Sequence, residues 1–335
     1  MRANASSASP ASVTWLDLDA ANALVQLAHE SGAGIAVTGD PRQALPVGHS
    51  GAMELIRRHS LDRVELQEVH RFVDPEWANL TLKIREARGV NIPEVAAELI
   101  RTGHVEMTSS TLEAERNMVD AWFHARAHRE TISLVTATHA EAQAVGEAIQ
   151  ARRVQAGALS TQRTAAGQNG QTLLEGDVVQ TRRNNTAVGV QNRQNWVISR
   201  IRDDGILLTS ASDSTVARKI SHEYAAEHLH LGYASTVYGA QGETTDHSLV
   251  GPGVDAAGLY VGLTRGRRTN NVILTTPTET AAKAELADML QRGTTEATIA
   301  ESRDAATLEL RRAAVSQQQN ASAVTAGSST LQLDR

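Results

Sequence analysis

The feature that most constrains the fold of this 335-residue chain is an alternation of short apolar segments with amphipathic ones. Residues 131–136 have the length and composition of a buried strand, and residues 139–153 have helical periodicity. Strands and helices that alternate in this way indicate a mostly parallel sheet with helices on both faces. We therefore predict an α/β fold whose chemistry lies at the carboxyl ends of its strands.

The same pattern recurs along the chain. It predicts one helix over residues 17–30, a second from Asp74 onward with Trp77, Leu80 and Ile84 on one face, and a third around Val119, Trp122 and Phe123. It also predicts strands over residues 35–37, 64–66, 248–250 and 271–275. From residue 171 the chain changes to short alternating segments at 177–181, 195–201 and 205–209, which predict a small inserted β-barrel. The tail from residue 316 is polar and is predicted to be disordered.

Composition narrows the class of protein. Apolar residues make up 41% of the chain but aromatic residues only 3%, so Leu, Val, Ile and Ala must form most of the core. The absence of cysteine excludes disulfides and thiolate metal sites. No segment has the roughly 20 apolar residues that a membrane-spanning helix needs, and we expect a cytoplasmic protein.

Four segments carry candidate chemistry. They are Gly-Asp-Pro-Arg-Gln-Ala-Leu-Pro-Val-Gly at 39–48, Leu-Gln-Glu-Val-His-Arg-Phe at 66–72, Tyr-Ala-Ser-Thr-Val-Tyr-Gly-Ala-Gln-Gly-Glu-Thr at 233–244, and Tyr-Val-Gly-Leu-Thr-Arg-Gly-Arg at 260–267. The amide of Gln43 both donates and accepts, which suits it to register a phosphate or a water molecule. Arg71 and Arg265 carry permanent charge on a planar fork that matches phosphate oxygens.

Each segment alone has a plainer interpretation. The first could be a polar loop with two turn-forming prolines, Arg71 could be a surface residue, and Arg265 could face the dipole at a helix C-terminus. Together and in this order, the segments resemble motifs III, IV, V and VI of superfamily 1 DNA helicases. The resemblance covers about residues 17–290. The β-rich insertion and the Gly-Tyr-Ala before the third segment resemble the branch of RecD-like helicases and the helicase halves of conjugative relaxases.

The resemblance implies a fold and a domain order. Residues 1–50 would be a remnant of the first RecA-like motor domain, and residues 51–170 with 232–295 would form the second, of the UvrD-like C-terminal type. Residues 171–231 would form an SH3-like β-barrel inserted beside the path of single-stranded DNA. Residues 296–335 would be a helical and then disordered tail.

The resemblance also implies ATP and Mg²⁺ as cofactors, single-stranded DNA as partner and ATP-driven translocation in conjugative transfer. The implied catalytic residues are Gln43, which couples hydrolysis to DNA, and Arg71 and Arg265, which stabilise the transferring phosphoryl group. The implied nucleotide-binding set adds Gly39, Asp40, Gln241, Gly242 and Glu243, although the acid of many relatives falls nearer Thr244. Thr236 and Tyr238 would contact DNA.

The net charge of -6 is unevenly distributed along the sequence. Residues 178–202 contain no acid and carry Arg182, Arg183, Arg193, Arg200 and Arg202 together with Trp196. A basic strip with an aromatic ring is typical of proteins that neutralise a DNA backbone and stack on a base. The alternative is a solvated barrel face with Trp196 in the core.

Two features of complete motors are missing from the sequence. No Gly-x-x-x-x-Gly-Lys-Ser/Thr run occurs, and no acidic pair stands before Leu16 to hold magnesium. No metal-ligand spacing is present among the histidines either. Three interpretations follow: a split or truncated helicase completed by a separate chain that supplies the first motor domain, a non-catalytic module that binds single-stranded DNA, and a decayed remnant.

Overall fold

The computed structural model describes residues 18–40, residues 56, 60 and 64, and residues 71–292. Contacts divide the chain into two units, one of residues 1–41, 45–64 and 295–335 and the other of residues 42–44 and 65–294. The predicted tail and most of the predicted strand 64–66 lie outside the described residues.

In the first unit the structure describes one continuous helix, the chain that follows it to Asp40, and the single residues 56, 60 and 64. Helix α1 (Leu18–Ser31) confirms the predicted helix. The predicted strand 35–37 is wrong, because residues 33–37 form no strand and Thr38 makes only a single β-bridge. Ile35 is 47% exposed. A short apolar segment becomes a strand only where a sheet pairs with it, and an apolar pattern does not record that pairing.

The second unit contains the remaining helices and all the named strands. The helices are α2 (Pro75–Glu86), α3 (Ile92–Arg101), α4 (Thr111–Ala127), α5 (His139–Gln155), α6 (His222–His228), α7 (Val237–Ala240), α8 (Ala256–Gly262) and α9 (Glu279–Gln291). The strands are β1 (Val105–Thr108), β2 (Ile132–Thr136), β3 (Ser160–Ala166), β4 (Thr172–Glu175), β5 (Val178–Thr181), β6 (Asn195–Arg202), β7 (Gly205–Ser210), β8 (Ala217–Ile220), β9 (Leu229–Leu231), β10 (Ser235–Thr236), β11 (Thr245–Val250) and β12 (Gly266–Thr275).

A parallel sheet forms the centre of this unit, in the order β1-β12-β11-β2-β10. Its central strands are aligned so that Leu249 lies opposite Leu134 on one side and Asn271 on the other. The carboxyl-terminal halves of the central strands β2, β11 and β12 are buried and mainly apolar, with Val135, Val250 and Val272 fully enclosed. The predicted α/β fold with a mainly parallel sheet is confirmed.

Local capping fixes where several of these helices begin. The side chains of Asp74, Ser110 and Thr138 each accept a hydrogen bond from a backbone N–H in the first turn of the helix that follows. Thr138 and Glu141 form a reciprocal capping box, which satisfies two otherwise unpaired N–H groups at the start of α5.

A second sheet is antiparallel, in the order β8-β7-β6-β5-β9. It contains the three β segments predicted from alternation, and a hairpin of β3 and β4 precedes it. The β-rich part therefore begins at Ser160, before residue 171. Strand β3 gives little apolar alternation because its side chains are exposed except at Ala165.

Candidate nucleotide and nucleic-acid site

Two loops that were singled out in the sequence lie side by side at the start of adjacent strands. Residues 241–244 lead into β11 and residues 263–265 lead into β12. The backbone N–H of Thr245 donates to the carbonyl of Arg265 over 3.0 Å, which joins the two loops. The segments that resemble motifs V and VI therefore form one local structure.

Arg265 is the buried centre of this structure, with 2% of its surface exposed. Its guanidinium donates to the carbonyl of Val261 over 2.8 Å, to the carbonyl of Glu243 over 3.2 Å and to the hydroxyl of Thr264 over 3.1 Å. Burial, and then the nearby positive charge of Arg71, lower the pKa of Arg265 to about 10. The group stays charged at neutral pH and is held by the protein's own oxygens.

Arg71 lies next to this loop although 193 positions separate it from Thr264 in the sequence. Its guanidinium donates to the carbonyl of Thr264 over 2.5 Å, and the side chain is otherwise exposed. The backbone N–H of Val73 also donates to the carbonyl of Arg267 over 3.0 Å. The two predicted phosphate-binding arginines are therefore neighbours, one exposed and one buried.

Glu243 connects this structure to the antiparallel sheet. Its carboxylate accepts a hydrogen bond from the side-chain amide of Asn195, which in turn accepts one from Gln180 over 3.0 Å. Burial raises the pKa of Glu243 to about 7, against the opposing effects of Asn195 and the positive Arg265. Sequence analysis missed Asn195 and Gln180, because a single amide in a strand carries no local signal of a partner on another sheet.

Glu243 is expected to make stability depend on pH. Its pKa is higher in the folded state than the ordinary 4.5, so between pH 4.5 and 7 the folded state holds the extra proton. The free energy of unfolding should therefore fall as pH rises through this window, by at most about 3 kcal/mol. In urea titrations at pH 4 and pH 8, Glu243→Gln should remove that fall. Equal pH dependence in both proteins would contradict the shift.

The predicted basic strip is divided between the two ends of β6. Arg193 precedes the strand and Arg200 lies near its end, so roughly 20 Å of extended chain separates them. Arg200 pairs with Glu175 over 3.4 Å. At the other end, Arg182 donates to the ring of His139 over 2.9 Å and Arg183 approaches the ring of His228 at 3.4 Å. Glu175 on β4, an acid outside the strip, therefore offsets the charge at the far end, which the sequence of the strip does not show.

Trp196 is 0% exposed and packs with Ile198 and Leu208 in the core of the antiparallel sheet. Its predicted role in stacking on a base is therefore wrong, and the core interpretation is correct. The physical reason is the two-residue period of a strand, which places Trp196 and Ile198 on the same inward face.

The remaining predicted contacts differ in their exposure. Thr236 is 5% exposed, so its hydroxyl does not reach the surface in this structure, whereas Tyr238 is half-buried. Gln43 lies outside the described residues, and Gly39 and Asp40 belong to the first unit. Among the described residues, no group of three or more His, Asp or Glu side chains could hold a metal ion.

Comparison with known proteins gives two sequence matches. The AAA domain family matches residues 13–110, which contain the first two singled-out segments. A probable conjugal transfer protein TraA of Sinorhizobium fredii (strain NBRC 101917 / NGR234) is 22% identical over 249 residues, which is 72% of this chain. The resemblance to superfamily 1 helicases is confirmed. The match spans only 22% of the length of TraA.

Two solved Pif1 helicases are also similar to this chain. The Bacteroides Pif1 helicase in complex with ADP-AlF3 and ssDNA has a TM-score of 0.48 at 15% identity, covering 80% of this chain and 70% of that one. The Candida albicans Pif1 helicase has a TM-score of 0.48 at 13% identity, covering 81% of this chain and 71% of that one.

In the part of the chain that the structure describes, no helix is long and apolar enough to span a bilayer.

Proposed function

We propose that this chain is the rear part of an ATP-dependent DNA helicase that translocates on single-stranded DNA in conjugative transfer. The observation that carries the proposal is the meeting of Arg71 and Arg265 at Thr264 across 193 sequence positions. Two guanidinium groups that are brought close together suit a multiply charged phosphate ligand.

In this proposal Arg71 makes the direct contact with a nucleotide phosphate. It is exposed, and only one of its five N–H groups donates to the carbonyl of Thr264 in the structure. Arg265 is enclosed by three acceptors, so it would have to exchange one of them to reach a phosphate. Its resting role would be to hold the two loops together and to add positive charge.

ATP would supply the transferable phosphoryl group. The residues present suit its terminal phosphates, but no described cluster of acids suits Mg²⁺, and no phosphate-cradling lysine motif occurs in the 335 residues. We therefore propose that a separate segment or chain completes the site. Residues 51–170 with 232–295 would be the second motor domain and residues 171–231 an SH3-like barrel.

Hydrolysis is the direct test of this proposal. Purified chain alone should hydrolyse ATP at the background rate with or without single-stranded DNA, because the phosphate loop is absent from it. Added protein that supplies a first motor domain should restore DNA-stimulated turnover. Turnover by the chain alone that Arg71→Ala leaves unchanged would count against the proposed site.

A binding module without turnover is the second candidate function. The cations Arg182, Arg183 and Arg193 at one end of β6 favour it, because burial and the nearby Arg193 lower the pKa of Arg182 with no acid among the causes. Such a surface would hold a DNA backbone without any need for ATP.

The salt dependence of DNA affinity should distinguish the arginines at the two ends of β6. Each phosphate neutralised on single-stranded DNA releases condensed counterion, so log affinity falls linearly with log salt concentration. Replacing Arg182 and Arg183 by alanine should reduce the magnitude of that slope by roughly 1 to 1.5. The matched control replaces Arg200 and Arg202, which removes the same charge from the other end and should leave the slope unchanged. Fluorescence anisotropy with a labelled oligothymidylate measures both, and equal slopes for the two double variants would contradict the assignment.

A further inference from the structure

A cavity of about 250 Å³ opens where α5, β5, β9 and β10 come together. Its lining residues are polar or basic for the most part and include no Asp or Glu; they are His139, Ala142, Gln143, Gln168, Asn169, Gln171, Arg182, His230, Leu231 and Ser235. The residues come from both sheets and from the first turn of α5, so the folded chain builds the cavity from distant segments. None of the four singled-out motifs accounts for its basic side.

Arg182 is the fixed positive charge of this cavity. It is half-buried, and its guanidinium donates to Nδ1 of His139 over 2.9 Å. Among the described residues Arg182 forms no ion pair with a carboxylate, and burial and the nearby Arg193 lower its pKa. A partly desolvated cation without a counter-charge is costly, and a bound anion would offset that cost.

Two histidines border the same cavity. Because Nδ1 of His139 accepts from Arg182, the neutral ring carries its proton on Nε2 and can donate from there. Nδ1 of His230 lies 2.8 Å from the carbonyl of Leu231, and its enclosed Nε2 has no hydrogen-bond partner among the described residues.

Both rings are neutral at pH 7. Burial and the charge of Arg182 lower the pKa of His139, and they lower the pKa of His230 to about 4. The charged group that faces both rings is Arg182. The carboxylate of Glu141, on the same helix as His139, is engaged with the backbone N–H of Thr138.

We propose that this cavity binds one phosphate group of a nucleic acid, with Arg182 and Nε2 of His139 as its donors. As the phosphate binds, the Arg182 guanidinium turns from Nδ1 of His139 to the phosphate, and the freed Nδ1 takes up a proton. The side chains of Ser235, Gln168 and Asn169 supply further neutral donors at the rim. The proposal rests on the proposed DNA-binding function and gives that surface one specific phosphate site. The source of the phosphate is either a terminal phosphomonoester or an internal phosphodiester.

The proton uptake follows from the sign of the pKa shifts. Both histidine pKa values are lowered while Arg182 has no counter-charge, and a bound anion raises them again. A group whose pKa is higher in the bound state makes binding tighten as pH falls through that value, by up to about tenfold per pH unit for one proton. Affinity should therefore increase from pH 8 to pH 5.

The test uses the full chain and inorganic sulfate, a tetrahedral anion whose charge is constant over this pH range, followed by isothermal titration. Arg182→Gln should weaken sulfate binding by about tenfold or more, because a charge-assisted hydrogen bond is lost. The control Arg200→Gln removes an exposed charge at the far end of β6, where Arg200 pairs with Glu175, and should change affinity by less than about twofold. His139→Gln should flatten the rise in affinity between pH 8 and pH 5.

Equal sulfate affinity of wild type and Arg182→Gln, or an equal loss in Arg200→Gln, would overturn the site. If Arg182→Gln has a much lower melting temperature than wild type, the variant Arg182→Lys is used instead. It keeps the positive charge and loses the planar fork of the guanidinium. Anisotropy with oligothymidylate with and without a 5′-phosphate then identifies the source, since tighter binding of the phosphorylated strand indicates a terminal phosphate and equal binding an internal one.

The same experiments separate this site from the proposed function. Sulfate binding that depends on Arg182, without any DNA binding, would support the cavity and contradict the DNA-binding function. DNA binding that is equal in wild type, Arg182→Gln and His139→Gln would overturn the cavity and leave the function standing.

Discussion

Replacing Arg71 by alanine is expected to lower ATP turnover by about 10³-fold or more in any assembly of this chain that hydrolyses ATP, as for other arginines that stabilise a transferring phosphoryl group. The protein itself should be little affected, because Arg71 is exposed and loses one hydrogen bond, to Thr264. The free energy of unfolding should fall by no more than about 1 kcal/mol. Steady-state turnover and urea unfolding measure the two effects separately.

Arg265→Ala should lower turnover as strongly and should also destabilise the fold. Its removal takes one hydrogen-bond donor each from the carbonyls of Val261 and Glu243 and from the hydroxyl of Thr264, in a buried place. Arg267→Ala is the matched control, since Arg267 is exposed and faces Asp246 at 3.7 Å on the surface. A loss of turnover below about tenfold in Arg71→Ala would remove that residue from the nucleotide site.

Trp196→Ala is expected to lower the free energy of unfolding by about 3 to 5 kcal/mol, because it leaves a large cavity in the core of the antiparallel sheet. The ring is 0% exposed and belongs to the same buried apolar cluster as Ile198, Ile206 and Leu208. Urea denaturation gives the change in stability. DNA affinity per folded molecule, measured well below the melting temperature, should match that of wild type.

Two further variants sharpen this test. Trp196→Phe keeps most of the buried ring and should cost less than the alanine variant. Leu112→Ala removes a side chain that is 54% exposed and should change stability by no more than about 0.5 kcal/mol. A loss of DNA affinity in Trp196→Ala without any loss of stability would restore the stacking role and contradict the packing.

The burial of Trp196 could have been predicted from the sequence. Within β6, Trp196 and Ile198 are buried while Val197 and Ser199 between them are partly exposed, which is the alternation of a strand with one inward face. The prediction of a stacking role relied on the composition of the basic strip. Composition does not say which face of a strand each residue occupies.

The sequence by itself determined the α/β class, the positions of about half of the named helices and strands, and the order of the four motifs. Local periodicity and capping carry that information, as at Thr138 and in β2. It also supplied the chemistry of Arg71 and Arg265, since a guanidinium is a cation wherever it lies.

The tertiary structure alone decided which of these residues meet. Arg71 contacts Thr264, and Asn195 contacts Glu243, through the packing of segments that are far apart in the sequence. The same packing divides the basic strip along β6 and places Arg182 beside His139. No periodic pattern records such contacts, because periodicity reports the face of one element, whereas a site depends on how several elements pack together.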